Sequence, residues 1–139
     1  MKVGVFYFTT SGNTEEMARA FADGVEAAGA ELVYNQVSEA DSDEVASCDA
    51  FALGSPAQGT EEMDESEFMP FYDDNKSAFE GKKVFLFGSY GWGGGEYMET
   101  FADQAREDGL DVVEIYTFNE TPDPSALDEL KEKGEAFAK

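Results

Sequence analysis

Six consecutive residues, Thr9-Thr10-Ser11-Gly12-Asn13-Thr14, bring four hydroxyls and one side-chain amide to the point where an apolar run gives way to a helical pattern. A strand-to-helix joint of this kind offers unpaired amides and the positive end of a helix to an anion. The hydroxyls and Asn13 add donors for phosphate oxygens with no Lys or Arg in the loop, which suits a compact monophosphate. The same residues also suit a plain turn in which Thr14 or Asn13 caps the helix, so the loop by itself leaves both readings open. A second stretch, Ser89-Tyr90-Gly91-Trp92-Gly93, sets the chain's single indole between glycines. Its own loop offers that indole little packing unless a ligand supplies the surface; an indole folded back onto the domain is the alternative. Tyr90 suits packing as well as binding.

Composition narrows the chemistry. The 139 residues contain no His and one Cys, which excludes zinc sites, iron–sulfur clusters, disulfides, the Ser/His/Asp triad and the Cys/His dyad. Nine Lys and Arg against 31 Asp and Glu give a formal charge of −22, which repels nucleic acid and anionic membranes. A hydrophobic fraction of 42% with 12 Phe and 6 Tyr is too rich for a disordered chain. The N-terminal apolar run ends at Phe8, too short for a membrane span or signal peptide. The expectation is a cytoplasmic chain forming one domain over residues 1–139, with Cys48 a small buried apolar residue.

The elements that must position these loops follow from hydrophobic patterning. Lys2–Phe8, Asp49–Gly54 and Lys83–Gly88 are apolar almost throughout, as strands buried on both faces are. Glu31–Val37 is interrupted by polar residues and reads as an edge strand, and Leu110–Phe118 is a fifth strand. Helices are expected over Thr14–Ala28, Asp64–Phe79 with a kink or a restart at Pro70, Glu96–Asp108 and Ser125–Ala138, with a helical turn in Ser38–Ser47. Strands alternating with helices give an α/β fold, a doubly wound parallel sheet in the order 2-1-3-4-5 with helices on both faces. A ligand crevice then opens at the carboxyl ends of strands 1 and 3, beside loops 9–14, 55–61 and 89–97.

The hexapeptide at Thr9 resembles the T-x-[ST]-G-N-T phosphate loop of flavodoxins. Ser55-Pro56-Ala57-Gln58-Gly59-Thr60-Glu61 and Phe87-Gly88-Ser89-Tyr90-Gly91-Trp92-Gly93 resemble the second and third flavin loops of the short-chain clostridial type, and Asn119-Glu120 resembles their fifth-strand exit. The resemblance runs along the whole chain. It implies a low-potential electron carrier, not an enzyme, that binds one noncovalent FMN and cycles through its semiquinone and hydroquinone. The alternative is an FMN protein of the same fold dedicated to one enzyme, as a ribonucleotide-reductase activator or a small FMN-dependent NAD(P)H:quinone reductase. The implied FMN contacts are Thr9 to Thr14, Ser55 to Glu61, Ser89 to Gly93, Tyr97 and Asn119. Trp92 and Tyr90 would cover the ring, the peptide after Gly59 would turn to bond the protonated flavin nitrogen, and Glu61 would accept from the ring's imide nitrogen. Gln58 stands where short-chain members put an apolar residue, which makes the inner flavin face more polar. A receiver domain of the same fold order would need an acidic pair, an Asp and a Lys where Thr9, Thr10, Gly54 and Phe118 stand. The implied partners are basic patches on redox proteins, such as reductases or ferredoxin-linked oxidoreductases, met by a monomer.

Overall fold

The computed structural model describes residues 1–58 and 61–139. The elements run β1 (Lys2–Tyr7), α1 (Asn13–Ala27), β2 (Glu31–Gln36), a 3-10 turn at Val37–Glu39, α2 (Ser42–Ala46), β3 (Ala50–Gly54), α3 (Phe68–Phe79), β4 (Lys83–Tyr90), α4 (Glu96–Glu107), β5 (Asp111–Asn119) and α5 (Pro124–Phe137). Among the described residues, the five strands form one sheet in the order β2-β1-β3-β4-β5. All four ladders are parallel. The expected doubly wound sheet is the observed one, with β2 at one edge and β5 at the other.

Every residue of β3 is buried, as is every residue of β1 after Lys2. Side chains alternate between the two faces, so each strand feeds two cores. Phe6, Phe51, Leu53, Val84 and Leu86 pack under α3 and α4. Val3, Val5, Tyr7, Ala52, Phe85 and Phe87 pack under α1 and α5. Cys48 lies at the amino end of β3, away from the loops of interest and almost fully buried. The α1–α5 contact is close because two glycines face it: a β-carbon on Gly24 would run into the Lys131 carbonyl oxygen, and one on Gly134 into that of Phe21.

Two expectations about element ends are corrected. The helix expected from Asp64 starts at Phe68, which puts Pro70 in its first turn, where the missing amide costs nothing and neither a kink nor a restart is needed. β4 continues two residues past Gly88, because Ser89 and Tyr90 pair with Phe118 and Asn119 and so keep the ladder going through polar side chains. The carboxyl ends of β1, β3 and β4 therefore stand side by side at the chain reversal between β1 and β3, the position of the expected crevice.

Candidate functional site

The loop leaving β1 is anchored by Phe8, whose amide donates to the Gly54 carbonyl at 2.9 Å. Gly12 takes a left-handed conformation, φ 94°, at the N-cap of α1 without a side-chain cap bond. That conformation is open to glycine at little cost. The loop closes on itself through Gly12 N donating to Thr9 Oγ1 at 3.0 Å, and the first helical bond is Glu16 N to Gly12 O. Neither Thr14 nor Asn13 is the cap. The amides of Asn13, Thr14 and Glu15 consequently have no acceptor among the described residues, and they sit at the positive end of a 15-residue helix.

Beneath the loop a belt of buried polar groups joins three strand exits. Thr14 Oγ1 lies 3.3 Å from Ser89 Oγ, and both side chains are buried. The Tyr97 hydroxyl, carried by α4, donates to the Ser55 carbonyl at 2.8 Å and lies 3.3 Å from that of Ser89. Burial, with the Glu61 carboxylate nearby, raises the Tyr97 hydroxyl above its ordinary range, so it remains a donor. Ala57 N donates to Ser89 O at 2.9 Å, and Gln58 Nε2 reaches Thr10 Oγ1 at 3.4 Å.

Above this belt, the backbones of Gln58 and Glu62 bond each other in both directions, at 2.7 and 2.9 Å. Gly59 and Thr60, and with them the peptide expected to turn over, lie outside the described residues. Glu61 has a φ of 61° and extends its carboxylate to the neighbouring loop, where Oε1 accepts from Gly93 N at 2.8 Å and Oε2 from Gly91 N at 3.2 Å. Asn119 braces the same loop by donating to Gly91 O at 3.0 Å. Trp92 projects from it 74% exposed. Thr10, Ser11, Asn13, Pro56, Ala57, Ser89, Tyr90 and Gly91 surround a cleft of about 160 Å³, joined by Glu120, which the sequence reading left out of the site. A larger groove of about 420 Å³ lies between Glu61–Met69 and α4. Its lining includes the carboxylates of Glu61, Glu62, Glu65 and Glu96 and no Lys or Arg, which disfavours any anion there. Among the described residues, no cluster of His, Cys, Asp and Glu could hold a metal ion.

Asp64 holds the far end of this region. It is 5% exposed, accepts from the amides of Glu67 and Phe68 at 2.8 and 2.9 Å and from Ser66 Oγ at 2.8 Å, and its own amide donates to Ser55 Oγ. Burial alone would raise its carboxyl, but the bonds from Phe68, Glu67 and Ser66 outweigh it and hold the carboxyl below its ordinary 3.8. A lowered pKa means that the ionised form stabilises the fold above the unfolded value and that this contribution is lost as pH falls through the folded one. Asp64→Ala should cost about 2 kcal/mol at pH 7, since the buried Phe68 amide and the part-buried Glu67 amide lose their acceptor. Urea midpoints for the two proteins should converge below pH 3.8; a gap independent of pH would contradict this role.

A family model described as Flavodoxin matches residues 5–134. The chain belongs to the flavodoxin family. It is 42% identical over 137 residues to the flavodoxin of Megasphaera elsdenii, covering 99% of this chain and 98% of that one. It is 41% identical over 110 residues to the Clostridium beijerinckii flavodoxin, covering 79% and 80%. The solution structure of two-electron reduced M. elsdenii flavodoxin superposes with a TM-score of 0.87 at 39% identity over 96% of this chain and 98% of that one. A flavodoxin from the domain Archaea gives 0.88 at 31% identity over 99% and 96%. Flavodoxins bind FMN and carry electrons; they are electron-transfer proteins and not enzymes, and this chain is one of them. The readings as a ribonucleotide-reductase activator or a quinone reductase are not favoured. No helix among the described residues is long and apolar enough to cross a membrane.

Proposed function

We propose that FMN lies across the cleft at the carboxyl edge of the sheet, its phosphate at Thr9 to Thr14 and its ring between the stretches Ser55 to Glu61 and Ser89 to Gly93. The observation that carries this is the start of α1, where three successive amides lack acceptors beside a cleft that Ser11 and Asn13 line together with Gly91, the neighbour of the exposed Trp92. These residues fit FMN: hydroxyls, amides and a helix end receive a dianion without a cation, and an indole gains by covering a flat apolar ring. When bound, FMN supplies the redox chemistry. Gly12 keeps the loop open by its backbone conformation, Thr9 closes the loop from inside, and the buried belt of Thr14, Ser55, Ser89 and Tyr97 holds the three loops in register. Asn119 steadies Gly91. Glu61 already accepts from two amides of the facing loop, so its carboxylate stands at the rim where an imide N–H would arrive. The assignments of Gly59 and Thr60 rest on the family resemblance alone.

The whole of residues 1–139 acts as one FMN domain, monomeric and cytoplasmic, with its single thiol buried. A charge of −22 directs it to basic patches on redox proteins, at rates that fall as salt screens the attraction. Calorimetric titration of the protein with FMN, riboflavin and FAD tests the reading. FMN should bind one to one and more tightly than riboflavin by about 100-fold or more, as several charge-assisted bonds to phosphate imply. Equal affinities for FMN and riboflavin would remove the phosphate from this loop.

A further inference from the structure

Tyr7 ends β1 two residues before Thr9 and points towards α1, 3% exposed. Its hydroxyl donates to Glu15 Oε2 at 3.0 Å. Burial raises the Tyr7 hydroxyl above the ordinary phenol range, and the neighbouring Tyr34 and Glu15 push it the same way, so it stays protonated and stays a donor. Glu15 itself is otherwise exposed and is the third residue of α1, in the same turn as the unpartnered amides. A carboxylate there is attracted by the helix end for the same reason that a phosphate is. Arg19, one turn further on, does not take charge of it: its guanidinium lies over the Tyr34 ring, 4.5 Å from the centroid, and that ring sits 5.3 Å from the ring of Tyr7. The two tyrosines and Arg19 thus form a clasp between β1, β2 and α1 in which the remaining acid, Glu15, is held by a buried hydroxyl.

We propose that Tyr7 is a positioning residue: it draws the Glu15 carboxylate off the amides at the start of α1 and keeps that anion site open to the phosphate of FMN. This rests on the assignment of the phosphate to Thr9 to Thr14. Without the Tyr7 hydroxyl, Glu15 is free to turn toward the helix end, where it competes with the phosphate and repels it. Riboflavin, which has no phosphate, would not register the change.

The test is the affinity of FMN and of riboflavin for Tyr7→Phe, Glu15→Gln and the double variant, at low salt. Tyr7→Phe keeps the buried ring, and Glu15→Gln changes an exposed side chain, so both leave the packing intact. Tyr7→Phe should weaken FMN by about 3- to 10-fold and riboflavin by less than about twofold, the scale of one charge moved at a helix terminus. The double variant should bind FMN as well as Glu15→Gln does, because without the carboxylate there is nothing to hold back. Glu16→Gln, which removes another acid from the same turn, should not rescue Tyr7→Phe. Equal weakening of both ligands, or a double variant as weak as Tyr7→Phe, would show a merely structural bond and overturn the proposal. Equal affinities of the unaltered protein for FMN and riboflavin would instead overturn the phosphate assignment, and the proposal with it.

Discussion

Asn13→Ala and Thr14→Val should each weaken FMN by about 10- to 100-fold while leaving riboflavin within about twofold, because a hydrogen bond to a charged group contributes roughly 1.5–3 kcal/mol. The two variants do so for different reasons. Asn13 lines the cleft, and its amide side chain is free to donate into it. Thr14 is almost fully buried and its hydroxyl faces Ser89 Oγ, so it serves the phosphate only by sharing or leaving that contact. Ser89→Ala separates the cases: if the Thr14 hydroxyl works through the phosphate, Ser89→Ala leaves FMN affinity nearly intact. If it works only as a strut to β4, Ser89→Ala and Thr14→Val weaken FMN and riboflavin alike. Valine keeps the outline of threonine and leaves no cavity, but it removes the hydroxyl that faces the buried Ser89 Oγ, and riboflavin affinity is the control for that loss. Titration by flavin fluorescence quenching would read all of these affinities.

The second large effect is on stability. Gly24→Ala and Gly134→Ala should each cost about 2–3 kcal/mol, although alanine is intrinsically the better helix former by about 1 kcal/mol. At both positions the new methyl group meets backbone, the Lys131 carbonyl in one case and the Phe21 carbonyl in the other. Backbone cannot rotate away as a side chain can, so α1 and α5 must separate along their whole contact. The double variant should cost less than the sum, since helices already moved apart admit the second methyl with less strain. FMN affinity should change little, as Gly24 lies about 16 Å along α1 from Asn13 at 1.5 Å per residue. Urea unfolding curves at neutral pH would measure the cost; a variant as stable as the parent would mean that the helix pair is looser than its geometry requires.

How much of this was legible in the chain depends on how local each cause is. The strand order followed from the nearly unbroken apolar runs of Lys2 to Phe8 and Lys83 to Gly88, together with connections too long for hairpins. The edge position of β2 followed from its polar interruptions. The end of β4 was not legible, because Ser89 and Tyr90 look like loop residues and are strand only through their partners Phe118 and Asn119. Pro70 implies a kink or a restart only for a helix that begins at Asp64; with the start at Phe68 the same residue lies in the first turn, where it is tolerated. The loop from Thr9 to Thr14 was legible as a set of donors, but its cap was not, since Gly12 acts through a φ of 94° that no side chain announces. Asp64 was one acid among 31, and its work for α3 depends on a turn three residues upstream of that helix. The bonds from Gly91 and Gly93 to Glu61 join loops about thirty positions apart in sequence, so nothing short of the fold could reveal them. Tyr7 and Glu15 belong to the same class: eight residues apart, and brought together only by the packing of α1 on β1.

The placement of FMN is tested most directly by following the backbone amide resonances of the protein during titration with FMN. The account predicts the largest shifts at Ser11, Asn13 and Thr14, at Gly91 and Gly93, and at the indole N–H of Trp92. Riboflavin should reproduce the shifts near Trp92 but not those at Ser11 to Thr14. Shifts concentrated instead at Met63, Thr100, Phe101 and Gln104, in the acidic groove beside α4, with the loop from Thr9 to Thr14 unmoved, would contradict it.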